Sequence, residues 1–179
     1  MALGQRLQEL GGFLEVVPAE QSVLVTLQAR RSIDDLQRLL ASVPEQLPEP
    51  EGRDIVVPVR YDGADLATVA AATGLTVDEV VALHSGTTYR AAFSGFAPGY
   101  VYCTGLDRRL HLPRRPTPRT QVPAGSVAIA DIYTATYPQA SPGGWHLLGT
   151  TDLPLFDLTQ PEPARIRVGD RVRFTVRTA

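Results

Sequence analysis

From Gly86 to the C-terminus the chain is cut into short pieces. TYRAAFSGF (88–96), YVYCTG (100–105), SVAIADIYTATY (126–137), WHLLGTT (145–151), ARIRV (164–168) and DRVRFTVRT (170–178) are rich in β-branched and aromatic residues, and Pro and Gly clusters separate most of them. Gly169-Asp170 marks a tight turn between the last two. Turn chemistry at that frequency suits many short strands and predicts a closed or nearly closed β-barrel.

The beginning of the chain reads differently. Leu3, Leu7 and Leu10 recur at helical spacing before Gly11-Gly12, and FLEVVP (13–18) and SVLVTLQA (22–29) read as strands. Ser32 opens a second helix with Ile33, Leu36, Leu39 and Leu40 on one face. This α-β-β-α order lacks the strand that would complete a small sandwich, so residues 1–48 are expected to form a partial α/β lobe. The proline- and acid-rich VPEQLPEPEGR (43–53) reads as a linker. Residues 54–179 are expected to form the barrel domain. It begins with the strand DIVVPVRY (54–61) and two helices, DLATVAAAT (65–73) and TVDEVVALH (76–84), the second opened by a Thr76–Glu79 capping box. The fold class is mainly β with an α+β N-terminal lobe.

Composition narrows the chemistry. All 17 basic residues are Arg, which excludes a phosphate-cradling, Schiff-base or general-base lysine in these residues. A net charge of −2 provides no basic field for nucleic acid or an anionic membrane. The helix pair 65–84 has helix-turn-helix spacing at Ala70, Gly74 and Val80, but Asp78 and Glu79 stand where a recognition helix needs base-reading donors. Packing explains that spacing better. Cys103 is the only cysteine; in an aromatic strand with no activating base it reads as a buried structural thiol. His111 and His146 are isolated, so no metal site is expected. The sequence has no apolar run near the ~20 residues a membrane span needs and no signal-peptide pattern, which points to the cytoplasm.

The dense chemistry lies between 93 and 151, with His84 before it. His84 ends a helix, where a protonated imidazole gains from the helix dipole; the functional alternative is a proton-transferring imidazole at the barrel rim. FSGFAPGY (93–100) sets two glycines and a proline among aromatics, forcing a sharp loop. LPRRPTPR (112–119) interleaves three arginines with three prolines, which hold the guanidiniums splayed. They suit an anion site, or inward salt bridges that fix the segment to the barrel. VPAGSV (122–127) and SPGGW (141–145) are Gly-rich turns able to aim backbone N–H groups at an oxyanion.

GFAPGY, LDRRLHLPRRPTPR, VPAGSVAIA and TYPQASPGGWHLLGTT, in this order and spacing, resemble the KipI family, which includes the B subunit of bacterial 5-oxoprolinase and proteins labelled allophanate hydrolase subunit 1. Arg115, Pro118-Arg119, Tyr137-Pro138 and Ser141 to Trp145 match its motifs. The resemblance implies a cyclophilin-like β-barrel after a small α/β lobe. It implies ATP-dependent opening of 5-oxoproline to glutamate in complex with a C subunit (allophanate hydrolase subunit 2-like), with a separate A subunit handling ATP and no covalently bound cofactor. On this reading His84, Arg115 and Arg119 are catalytic, and Phe96, Pro98, Gly99, Tyr100, Tyr137, Ser141, Gly143, Gly144 and Trp145 bind a small amide or lactam. Two other branches stay open: an inhibitor that binds a histidine kinase, and a carboxyltransferase-type subunit of a urea carboxylase or allophanate hydrolase-like system. The chain departs from the family pattern at Thr150, where an arginine is usual, and at Ala128, Asp131 and Ala135, in a stretch where glycines are usual.

Overall fold

The computed structural model describes residues 2–19, 22–44 and 52–177. They form two compact units, divided between residues 51 and 52. Most of the expected linker, residues 45–51, lies outside the described residues.

In the first unit, helix α1 (Ala2–Leu10) precedes an antiparallel ribbon of β1 (Phe13–Pro18) and β2 (Val23–Leu27), and α2 (Ile33–Ala41) follows. Leu7 is buried. Ser32 and Asp35 cap α2 reciprocally, satisfying two backbone donors that the helix start leaves free.

The second unit is built on a seven-stranded sheet. Its strands are β3 (Asp54–Val59), β4 (Thr88–Ser94), β5 (Val101–Thr104), β7 (Ser126–Ala130), β8 (Tyr133–Thr136), β10 (His146–Thr150) and β11 (Arg171–Val176), in the order β10-β7-β8-β5-β4-β11-β3. Every neighbour pair is antiparallel except β11 with β3. The two end strands meet through one bridge: Arg60 and Thr150 exchange backbone hydrogen bonds of 2.8 Å each. Gly63 N–H adds a bond to the Leu148 carbonyl at 3.1 Å. The sheet is therefore nearly a closed barrel, as the turn frequency of the sequence predicts.

Alternation along the strands sorts residues to the two faces. Val57, Val59, Cys103, Val127, Ile129, Leu148, Val172 and Phe174 share the interior core with Val69 of α3 (Leu66–Thr73) and Val80 of α4 (Val77–Ser85). The helix-turn-helix spacing is thus a packing pattern: Ala70 and Val80 are buried, and Gly74 takes the left-handed conformation that ends α3. Thr76 and Glu79 form the expected capping box of α4.

The opposite face carries a second core of Tyr100, Val122, Ala128, Ala130, Ala135, Tyr137, Trp145 and Leu147. A two-stranded ribbon belongs to this layer: β6 (Arg119–Val122) pairs with β9 (Ser141–Gly143), joining Arg119 to Gly143 and Val122 to Ser141. In the sequence both segments read as loops, because neither is long or periodic enough to announce a strand. ARIRV, expected to be a strand, is not one. Only Ala164 forms a bridge, with Phe156, and Arg165 N–H bonds the Leu155 carbonyl, so the segment is tied to its own loop rather than to the sheet.

Candidate functional site

Three sequence motifs, with Tyr102 of β5, meet on the outer face of β5, β8 and β10. Phe96, Tyr100, Tyr102, Arg114, Tyr137, Pro142, Gly143, Gly144 and Trp145 line a cavity of about 70 Å³ there. The rings stand edge to face: Tyr100 lies 5.2 Å from Tyr137 and 5.9 Å from Trp145, and Tyr102 lies 5.6 Å from Trp145. Phe96 is 61% exposed at the edge of this cluster and has φ +69°. That backbone conformation costs a non-glycine residue about 1–3 kcal/mol.

Small residues make the cluster possible. Ala128 and Ala135 are fully buried in the wall beneath the aromatic rings, where larger side chains would fill the space that Tyr100, Tyr137 and Trp145 occupy. Gly143 is required for a different reason: a side chain's first carbon there would overlap the Tyr137 hydroxyl.

The expected residues separate into groups. Phe96, Tyr100, Tyr137, Gly143, Gly144 and Trp145 share the cavity. Pro98 and Gly99 face a neighbouring cavity that Phe96 also borders. The Ser141 hydroxyl is buried within the ribbon layer, without a hydrogen-bond partner among the described residues.

Arg115 and Arg119 turn away from the cavity to one carboxylate. Their guanidiniums lie 2.6 and 2.7 Å from Asp65 Oδ1, and the Leu147 N–H donates to Asp65 Oδ2 at 2.8 Å. Of the two readings of LPRRPTPR, inward salt bridges describe these two side chains. Asp65 occupies the N-cap position of α3 but makes no side-chain cap bond, because its oxygens serve the arginines and β10 instead. Burial alone would raise its pKa; the bonds from Arg119 and Leu147 outweigh that and hold it below the ordinary carboxylate value.

The arginine on the cavity is Arg114, which the sequence motifs do not single out. Its side chain is 63% exposed and its nearest described carboxylate, Asp131, is 3.8 Å away. Its charge partly offsets the burial that raises the pKa of Tyr100, Tyr102 and Tyr137. The signal that could have found it is alternation: neighbouring residues of an extended segment point to opposite sides, so Arg114 and Arg115 do not share a destination.

His84 is not at the rim. It is fully buried in the barrel interior, with Nδ1 2.7 Å from the Tyr61 hydroxyl, Nε2 2.8 Å from Thr134 Oγ1, and its ring 4.6 Å from Phe174. The helix carries it inward because α4 turns its buried face, with Val80, toward the core. Burial lowers its pKa to about 3. In the unfolded chain the ring protonates near pH ~6.5. The unfolded state therefore binds more protons between those values, and stability falls as pH drops from about 6.5 toward 3. His84→Gln should flatten this slope in thermal melts across roughly pH 4 to 7; an unchanged slope would show that other groups control it. Cys103 is likewise interior, with burial raising its pKa to about 12. Among the described residues no group of three or more His, Cys, Asp or Glu is placed to hold a metal, and no single helix is long and apolar enough to cross a membrane.

Comparison with known proteins completes this description. Residues 1–166 match the model of the carboxyltransferase domain, subdomain C and D. The 5-oxoprolinase B subunit of Escherichia coli O157:H7 is 46% identical over 178 residues, covering 96% of this chain and 82% of that protein. The chain belongs to the family of 5-oxoprolinase B subunits. The family member from Haemophilus influenzae is 37% identical over 98% of this chain and 84% of its own length. Among solved structures, TTHA0988 is 41% identical with a TM-score of 0.87; it covers 99% of this chain, which spans 36% of TTHA0988. The urea amidolyase of K. lactis, at 18% identity and a TM-score of 0.73 over 99% of this chain and 13% of its own, shares the fold.

The departures from the family pattern now have positions. Thr150 lies in the barrel seam, donating to Asp62 at 2.9 Å, beside Arg60, which pairs with Asp152 at 3.1 Å. Asp131 has φ +53° in the turn between β7 and β8, a place where glycine is at ease.

Proposed function

We propose that this chain is the B subunit of a heteromeric 5-oxoprolinase, which converts 5-oxoproline, ATP and water to glutamate, ADP and phosphate. Membership of the B-subunit family supports the reading. The observation that carries it to a site is the meeting of the GFAPGY, LPRRPTPR and YPQASPGGW motifs on one aromatic cavity with Arg114 at its edge.

A lactam is a poor electrophile, and ATP, handled by a separate A subunit, supplies the phosphoryl group that activates its oxygen. This chain contributes position. A cavity of about 70 Å³ takes the polar end of a small ligand rather than a large one. The aromatic walls exclude water from the amide, and Arg114 faces the solvent side, where a carboxylate can receive its two parallel N–H donors. The site works together with the C subunit, in the cytoplasm.

The test is co-expression with the A and C subunits and measurement of glutamate released from 5-oxoproline. Release should require ATP and this chain, and Arg114→Gln should raise KM for 5-oxoproline about tenfold, the loss of a charge-assisted pair. A complete complex that releases no more glutamate than a mixture lacking this chain would remove the proposal. Binding to a histidine-kinase dimerisation domain without turnover would replace it with the inhibitor reading.

A further inference from the structure

We infer that His146 is a positioning residue: its imidazole fixes the direction in which Arg114 leaves the backbone, and so aims the guanidinium at the aromatic cavity. The inference rests on the reading of that cavity as the lactam site and names what holds its cation in place.

Two planar peptide groups meet at the Arg114 Cα, and together they set where its side chain points. The second is held by the glycine-rich turn: the Arg115 N–H donates to the Gly144 carbonyl at 2.7 Å. The first is held by a side chain: His146 Nε2 lies 2.9 Å from the Pro113 carbonyl oxygen. A carbonyl only accepts, so that nitrogen carries the proton and donates. Residues 113 and 115 are thus tied to 146 and 144, which sets Arg114 opposite Trp145, and both of these line the cavity.

Backbone pairing alone does not supply the first tie. Pro113 has no N–H to offer, and the His146 backbone is registered against Ile129 of β7. The imidazole reaches across instead. Its other nitrogen, Nδ1, is buried without a hydrogen-bond partner among the described residues, so the bond to Pro113 is the polar contact that places the ring. His146 is not among the residues that line the cavity, so it acts on a ligand through Arg114 and not by touching it.

The neighbouring ties leave this one peptide group to His146. Asp65 holds the Arg115 side chain at 2.6 Å, and the Asp131 N–H donates to the Leu112 carbonyl at 2.7 Å. They anchor the segment on either side of Arg114 without fixing the Pro113 carbonyl. The Arg114 side chain is largely exposed and 3.8 Å from its nearest described carboxylate, so its aim depends on its backbone more than on its own contacts. A guanidinium aimed in advance loses less freedom when it grips a carboxylate.

Trp145 is the only tryptophan in the chain and lies in the cavity wall, so its fluorescence reports 5-oxoproline binding to the full chain. His146→Ala should weaken that binding about fivefold, less than the loss from Arg114→Gln. His146→Gln, which presents an amide N–H at the same reach, should bind within about twofold of wild type. In an Arg114→Gln background His146→Ala should add nothing, because its effect passes through the arginine. Equal weakening in both backgrounds, or a His146→Ala chain that binds as wild type does, overturns the inference. A second measurement needs no ligand. Between Pro113 and Pro116 the only amides are those of Arg114 and Arg115. Exchange at Arg115 should accelerate about tenfold in His146→Ala and return to the wild-type rate in His146→Gln. Unchanged exchange in His146→Ala overturns the role of His146 whatever the ligand does. If exchange responds as expected but not even wild type binds 5-oxoproline, His146 still aims Arg114 and the lactam reading falls.

Discussion

Asp65→Ala lowers the thermal midpoint of the barrel unit by roughly 6–12 °C, through a loss of about 3 kcal/mol. The Asp65 side chain is 6% exposed and holds two guanidiniums through one oxygen and the start of β10 through the other. Removing it strands two like charges side by side and frees the Leu147 N–H. The figure sits at the low end for a broken buried pair because the Arg115 and Arg119 side chains keep 30% and 23% of their surface in water. Arg115→Gln should cost far less, since Asp65 keeps Arg119 and the Leu147 N–H. The folded pKa of Asp65 is depressed, so the stabilisation is present above the unfolded value of about 4 and is lost as pH falls through the lower folded value. The gap between wild type and Asp65→Ala should therefore narrow in acid. Equal melting points for the two at neutral pH would show that the triad does not hold the barrel. The substitution should also loosen the segment that presents Arg114, because Arg115 anchors that segment through its side chain and through its N–H bond to the Gly144 carbonyl at 2.7 Å.

Gly149→Ala opens the barrel. The two end strands of the sheet are joined where Arg60 and Thr150 pair, and Gly149 lies against that junction at a register shift between β10 and β7. An added methyl would overlap the Arg60 carbonyl oxygen and come within 2.8 Å of Val59 Cγ1. The first of these is backbone and cannot rotate away. One strand must shift, at a cost on the order of 3 kcal/mol for overpacking at a rigid site. Amide exchange should accelerate at Arg60 and Thr150, whose N–H groups form the bridge, before it changes at interior strands such as β5. Protection unchanged at those two amides would mean that the seam tolerates the methyl and that the barrel closes by other contacts. The prediction separates this glycine from Gly74, whose left-handed conformation, not its surroundings, is what excludes side chains.

Much of the architecture is legible without coordinates. Short β-rich pieces between Pro and Gly clusters specify strands by local propensity, and the Thr76–Glu79 and Ser32 helix starts are local hydrogen-bonding patterns. The motif chain GFAPGY to SPGGW also places six cavity residues in one neighbourhood, because a family's site keeps the order and spacing of its loops. The β6–β9 ribbon escapes notice because its strands are four and three residues long and its pairing links Arg119 to Gly143 across an intervening hairpin.

What only the tertiary structure decided is the direction of each polar side chain. The run LPRRPTPR states that three guanidiniums are available; it cannot state which faces the cavity. That depends on Asp65, fifty residues before Arg115, whose carboxylate captures Arg115 and Arg119 and leaves Arg114 facing the aromatic rings. His84 shows the same limit: a histidine near a helix end reads as a dipole partner first and as a rim residue second until the face of α4 that turns into the barrel is known. Backbone propensity acts over a few residues and is written locally. Charge pairing and burial act between segments far apart in the chain, and the fold alone brings those segments together.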